Sequence, residues 1–353
     1  MKDKIYEALE DLFKELTERE KDVVLLRYTI NSPERKKISL EEIGDNFSLT
    51  RERIRQIQNN ALLKITSRLE KNVFLNKDFL LYLNKIFGKF KLKPESYLKN
   101  KLVEDFDFNL KDYKVFVFFI KVHNKVFIYE EDKNFRSFIY LEKHYKENVK
   151  KFLIHINKLF KEKPFFKEEE FINKVKKEIK YHFDIDIPNE EVLEFSKIFK
   201  IVFKNPFGEI GSISHYRIAP NSLIEKIRTL LEIEEKPLHF QKIYDKLLEI
   251  KKIEDEFIHR KWKKNFSSRT IHSTLNNNDD FVLVGRGVYA LKDWNLPEGK
   301  IFEVMKNIIK ENPGIDINEL KEKLSKVRYF TDKTFYIYTY KYFKKIGNKV
   351  YIN

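Results

Sequence analysis

Apolar residues recur three and four apart along most of this chain, the spacing of helices that bury one face. The first 70 residues read as four helices. Over residues 3–15 the inward positions are Ile5, Leu9, Leu12, Phe13 and Leu16. Thr17 with Glu20 three residues later makes a capping box, which opens a second helix through Tyr28. Asn31 to Lys37 is a polar loop. Ser39 with Glu42 makes another capping box and opens a third helix. Ser48 and Leu49 form a turn, and Thr50 caps a fourth helix, with Leu49 placed to staple onto Ile54. Along that helix Ile54, Ile57, Ala61 and Ile65 share one face, and the helix is expected to end near Arg68.

From residue 71 the rhythm changes and then repeats. Each unit has helices first, then a short hairpin rich in Phe, Tyr, Ile and Val, the order of a winged helix. The clearest unit is 220–296. SLIEKIRTLLEI is its first helix and PLHFQKIYDKLLEI its second, starting at Pro237. SSRTIHSTLNNN is the third, from about Ser268, and FVLVGRGVYALKDW is a hairpin turning at Gly285-Arg286-Gly287. Residues 297–353 repeat the plan: EGKIFEVMKNIIKENP, DINELKEKLSKV, a third helix within 331–341, and a hairpin turning at Gly347-Asn348. Residues 143–219 do likewise, and residues 71–142 read as a further version with helices at about 76–88, 94–103 and 109–121. The expected fold class is therefore mainly α with short β-hairpins: an N-terminal helix-turn-helix bundle over 1–70, followed by tandem winged-helix domains.

The outer face of the fourth helix bears Arg51, Glu52, Arg55, Gln56 and Asn59. These side chains suit base edges: Arg forks onto guanine, Gln onto adenine, and Glu accepts from cytosine. The first turn of such a helix is the part that enters a major groove. The same pattern also fits an ordinary amphipathic hairpin with a solvated charged face. The wider motif separates the two. LTEREKDVVLLRY (residues 16–28), LEEIGDNFSLTRERIRQI (40–57) and Ala61-Leu62 closely resemble region 4 of bacterial primary sigma factors, over roughly the first fifth of the chain. The resemblance implies that Arg51, Glu52 and Gln56 read bases and that Arg55 contacts bases or phosphate. Arg53 and Lys64 are weaker phosphate candidates, and Thr50 and Asn59 flank the set. Two positions depart from the sigma pattern: Thr29 stands where Gly is usual, and Gln58 where Glu is usual. No segment resembles the sigma region that melts the −10 element, so a complete sigma factor is not expected.

The unit 220–296 resembles the HARE-type winged-helix domain, a family that includes the delta subunit of Gram-positive RNA polymerase. Arg286 between two glycines suits close approach to a groove or phosphate. Arg269 lies at the start of a helix whose N–H groups favour phosphate. Both are candidate DNA contacts, although the delta-like family is associated with polymerase.

The chain carries 70 Lys+Arg against 55 Asp+Glu, a formal charge of +15 that favours a polyanionic partner. Residues 1–70 hold 14 of each sign, so the whole excess lies in 71–353. There is no Cys, which excludes disulfides and thiolate metal sites. The 8 His are scattered, and no phosphate-binding glycine loop or nucleophile elbow is present. The Asp184-Ile-Asp186 pair has strand-like spacing, but no Lys or Glu follows at a nuclease-like interval. No enzyme activity, cofactor or metal is expected. No apolar run spans a membrane, and the acidic N-terminus is not a signal peptide, so a cytoplasmic location is expected. The expected function is sequence-specific recognition of double-stranded DNA in transcription regulation. The tandem domains would extend contact to DNA or to the RNA polymerase core. The alternatives are a polymerase accessory protein, or a DNA-recognition subunit of a defence or mobile-element system. The oligomeric state is open.

Overall fold

The computed structural model of the protein describes residues 1–34, 38–297 and 300–352. The last part of the expected polar loop (35–37), the start of EGKIFEVMKNIIKENP (298–299) and the terminal residue lie outside the described residues. The chain divides into two compact units. One is Met1–Lys163 with Glu168–Val202; the other is Pro164–Lys167 with Phe203–Asn353.

The first unit opens with α1 (Lys2–Phe13), α2 (Glu18–Arg27), α3 (Leu40–Phe47) and α4 (Arg51–Lys71). The predicted inner positions Ile5, Leu9, Leu12 and Phe13 are buried, and Thr17 and Glu20 make the expected reciprocal cap. α2 ends where Thr29 turns into the left-handed region at φ 53°, uncommon for a β-branched residue, with its hydroxyl donating to the Tyr28 carbonyl at 2.7 Å. A glycine would sit there without strain, which accounts physically for the Gly usual in the sigma pattern.

After α4 one plan recurs four times. A π-helical turn (Phe74–Phe79) leads into α5 (Leu80–Phe87), then β1 (Leu92–Pro94), α6 (Glu95–Phe106), α7 (Leu110–Val122), β2 (Phe127–Tyr129) and β3 (Phe138–Tyr140). The second copy is α8 (Tyr145–Glu162), β4 (Phe165–Lys167), α9 (Glu168–Phe183), α10 (Asn189–Ser196), β5 (Val202–Lys204) and β6 (Glu209–Ser212). The third is α11 (Leu223–Glu234), β7 (Leu238–His239), α12 (Phe240–Lys251), α13 (Ser268–Asn276), β8 (Phe281–Gly285) and β9 (Val288–Leu291). The fourth is α14 (Ile301–Glu311), β10 (Ile315–Asp316), α15 (Ile317–Val327), α16 (Asp332–Tyr342), β11 (Phe343–Ile346) and β12 (Lys349–Ile352). Each sheet has three strands, with the last strand in the middle: β1-β3-β2, β4-β6-β5, β7-β9-β8 and β10-β12-β11. The protein is thus mainly helical, with short antiparallel strand triplets behind an N-terminal helix-turn-helix.

One element of every copy differs from the sequence expectation. The segments read as the start of each second helix begin instead with a strand. PLHFQKIYDKLLEI was expected to be helical from Pro237, but Leu238 pairs with Tyr289 and His239 with Val288, and α12 begins only at Phe240. Pro237 supplies no N–H to a ladder, Leu238 is buried, and the His239 side chain caps α12 by accepting from the Gln241 N–H.

The first core is continuous from α1 to β3. It joins Ile5, Leu12 and Phe13 with Ile65 and Leu69 of α4, Phe79, Phe87 of α5, Phe116 and Phe119 of α7, and Ile139. Phe118 of α7 meets Phe13 edge-on at 6.0 Å and Tyr28 at 5.0 Å. Each such buried ring is worth about 1.5–3 kcal/mol in transfer, and each aromatic pair about 0.5–1.5 kcal/mol more. The helix-turn-helix bundle therefore leans on α7 and does not close around itself. The second unit holds separate cores around Trp262, Ile243 and Tyr289, and around Leu320, Phe335 and Val350. None of the described helices is long and apolar enough to cross a membrane.

At the foot of α4, Arg68 donates to the Asp11 carboxylate from Nη2 at 2.8 Å and Asn72 from Nδ2 at 2.9 Å, tying α4 to α1. These bonds hold the Asp11 carboxyl at about 2. The folded value is depressed, so the stability this group contributes is complete above the unfolded carboxyl value of about 4. It is lost as pH falls through about 2. Because the pair is only partly buried, the contribution is on the order of 1 kcal/mol or less. We predict that Asp11→Asn lowers Tm slightly at neutral pH and flattens the acid limb of the stability curve between about pH 4 and 2, measured by circular dichroism melts. An acid limb identical to that of the wild type would contradict this.

Candidate nucleic-acid interface

The geometry that presents α4 begins at Gly44. Leu49 donates its N–H to the Gly44 carbonyl at 2.9 Å, closing the turn, and Ser48 enters the left-handed region at φ 54°. The turn folds back so closely on α3 that a Cβ on Gly44 would lie 2.5 Å from the Leu49 carbonyl oxygen. Below the turn Val23, Ile38, Ile43, Ile54 and Ile57 form a small core of their own, with Leu49 packed against it. Ser39 Oγ accepts from the Glu42 N–H at 3.1 Å, and Thr50 Oγ1 accepts from the Arg53 N–H at 3.2 Å. The Thr50 cap is therefore in place, and of the capping box expected at Ser39 the half made by the Ser39 hydroxyl is formed. Arg27 donates from Nη1 to the Ile38 carbonyl, pinning the chain just before α3. α4 runs on to Lys71, one turn beyond the expected end, capped by Asn72.

With Ile54 and Ile57 locked inward, the rest of the first two turns faces solvent. Thr50, Arg51, Glu52, Arg53, Arg55, Gln56 and Asn59 are all exposed. They form a polar network. Arg55 forks onto Glu52 through Nε at 2.8 Å and Nη2 at 2.7 Å. That fork holds the Glu52 carboxyl below its usual range and raises the Arg55 guanidinium above its own. Arg53 Nη1 donates to Gln56 Oε1 at 3.1 Å, and Arg51 Nη1 reaches Glu41 of α3 at 3.5 Å. At such exposure these pairs hold the side chains loosely, and each can be exchanged for a ligand group at little cost. The face therefore offers three guanidiniums, one carboxylate and two amides over two helical turns.

Lys64 stands apart from this set. Its ammonium donates to Glu20 Oε2 at 2.7 Å, the carboxylate that also caps α2. It lies eight residues beyond Gln56, about 12 Å along the axis at 1.5 Å per residue. Arg269 and Arg286 belong to the second unit. Arg269 is exposed in the first turn of α13, which Ser267 caps by accepting from the Thr270 N–H at 3.1 Å. Arg286 is exposed at the β8–β9 tip. The following Gly287 has φ 69°, and a Cβ there would come within 2.7 Å of His239 Nε2. Asp184 lies at φ 53° just after α9, and Asp186 is paired with Lys180 at 2.9 Å. Among the described residues no group of three His, Cys, Asp or Glu could hold a metal ion. The position that inspection of single side chains overlooked is Gly44. Its signal was present as the lone glycine inside a strongly helical segment.

Comparison with known proteins bears on the same stretch. Residues 12–66 match the family described as Sigma-70, region 4. The chain is 47% identical over 64 residues to the RNA polymerase sigma factor SigA of Microcystis aeruginosa, covering 18% of this chain and 15% of that protein. It is also 47% identical over 64 residues to SigA of Synechocystis, with the same coverage. It is 48% identical over 59 residues to SigA of a Bacillus species, covering 17% of this chain and 15% of that one. The chain thus spans about 15% of the length of these relatives. No solved structure matches. The helix-turn-helix over 12–66 is a sigma-70 region 4 domain.

The close approach at Gly44 makes a sharp prediction. Gly44→Ala forces the α3–α4 turn open at a cost of about 1–3 kcal/mol. Thr50→Ala removes only a cap, at about 1 kcal/mol. Amide hydrogen exchange of α3 and α4 should show Gly44→Ala as the more damaging. Equal protection in the alanine variant and the wild type would refute the packing argument.

Proposed function

We propose that this protein is a sequence-specific double-stranded DNA-binding regulator of transcription, with the first two turns of α4 as its reading surface. The supporting observation is the conjunction of a sigma-70 region 4 match with a first turn whose polar side chains all face solvent. In this reading α4 enters the major groove N-terminus first. Arg51 forks onto guanine N7 and O6, Gln56 pairs with adenine, and Glu52 accepts from a cytosine amine. Arg55 leaves Glu52 for a base or a phosphate when the groove arrives. Thr50, Arg53 and Asn59 set the register through the backbone. Lys64 serves by holding α2 against α4.

The four repeated units are, in this proposal, tandem winged helices, the third of them HARE-type. The helix–strand–helix–helix–strand–strand order with the last strand central fits that assignment. The proposed domain boundaries are near residues 71, 143, 220 and 297. All of the excess positive charge lies in these units. They extend the contact along DNA, with Arg269 and Arg286 on phosphates, or onto polymerase. Counterion release then makes affinity depend steeply on salt. A second reading is that the modules dock on polymerase and not on DNA. The relatives' designation as RNA polymerase sigma factors favours it, and capture of the enzyme from nuclease-treated extract would separate the two.

The test is selection of bound duplexes from a random pool by the full chain. We expect one short enriched motif. Arg51→Ala or Gln56→Ala should relax it at one or two adjacent positions, each losing about 1–3 kcal/mol of discrimination. Arg286→Ala should weaken all sequences alike and lower the salt slope by about one. Equal binding of selected and scrambled duplexes would overturn the reading.

A further inference from the structure

α16 departs from the pattern of the other helices. Its buried stripe is only Phe335 and Thr339, while its outer face carries Tyr336, Ile337 and Tyr340. Ile337 is 50% exposed and Tyr340 60%, so these side chains do little for the core beneath them. Tyr336 and Tyr340, one helical turn apart, lie nearly parallel, with ring centroids 6.3 Å apart and planes 22° apart. Each ring has a cation beside it. Lys321 Nζ lies 5.8 Å from the Tyr336 centroid while paired with Asp332 at 2.9 Å, and Lys345 Nζ lies 5.3 Å from the centroid of Tyr340. Residues 329–352 hold five Lys against one Asp and no Glu. Lys344, Lys345 and Lys349 lie on the hairpin that follows the helix.

We infer that this face binds single-stranded DNA, with bases stacked on Tyr336 and Tyr340 and phosphates on the flanking lysines. A nucleotide combines a flat apolar ring with an anion a few ångströms away, and this surface offers the complement of both. Base-on-aromatic stacking needs an unpaired base, because a duplex presents its bases edge-on, and it tolerates any sequence because every base has a π-face. A protein partner would bury the isoleucine and the ring faces without needing a lysine beside each ring. The charge and the ring–cation pairing therefore favour the nucleic acid. The inference does not rest on α4 reading a duplex.

The test uses the full chain, fluorescently labelled oligo(dT) and anisotropy at several salt concentrations. We expect binding that unlabelled duplex of equal length displaces poorly. Tyr336→Ala with Tyr340→Ala should weaken it at least about tenfold, while the paired Phe variant stays close to wild type. The paired Leu variant keeps the surface apolar without a π-system, and it should fail as the Ala variant does. Oligo(dT) binding by the Ala or Leu variant at wild-type strength would overturn the inference. So would complete displacement by duplex, or loss of self-association and not of oligo(dT) binding in the Ala variant. Arg51→Ala should leave oligo(dT) binding unchanged, so failure of the α4 reading and failure of this one remain distinguishable.

Discussion

The close packing of the α3–α4 turn against Gly44 sets what the N-terminal module can present. With no Cβ at that position the backbone of one helix touches the turn into the next, 2.5 Å from where a side chain would begin. That contact fixes the angle between the helices. The isoleucines at 54 and 57 then fix the rotation of α4 about its own axis. Together they leave one arc of α4 to solvent, the arc bearing Arg51, Glu52, Arg55 and Gln56. A larger residue at 44, or a polar one at 54, would re-aim every side chain on that arc at once.

The module is not energetically self-contained. Its small inner core shapes the turn, but its bulk stability comes from α1 and α4 packing on α5 and α7 in one continuous apolar cluster. Phe118, reaching from α7 to both Phe13 and Tyr28, is the clearest stitch. α4 is thus mounted on the repeat that follows it, through one core shared within the first unit.

Much of this was legible from residue order because it is local. The caps at Thr17, Ser39 and Thr50 are contacts between residues three apart, and all three are made. The inward stripe of α4 follows from helical spacing alone. The first strand of each sheet was not legible. It is two or three residues long, too short to show a period, and its partner lies far along the chain, 35 residues between Ile315 and Val350 and 51 between Leu238 and Tyr289. The outward tyrosines of α16 were missed for the opposite reason. TFYIYTYKY is apolar almost all round, so spacing cannot say which rings are core, and only the packing shows that Phe335 alone among them is fully buried. The outer face of α4 was legible from helical spacing, and the resemblance added the role proposed for each candidate on it and the further candidates Arg53 and Lys64. Lys64 stands about two turns beyond Gln56, half-buried, with its ammonium on Glu20 at 2.7 Å.

The most direct measurement of the central claim is a double-mutant cycle across the groove. In the selected duplex, guanine is replaced one position at a time by 7-deazaguanine, which lacks the N7 acceptor, and binding is compared between wild type and Arg51→Ala. The account predicts one guanine at which the substitution costs the wild type about 1–3 kcal/mol and costs the variant almost nothing, because both changes remove the same bond. Losses that simply add at every guanine would contradict it, placing Arg51 away from the base edges.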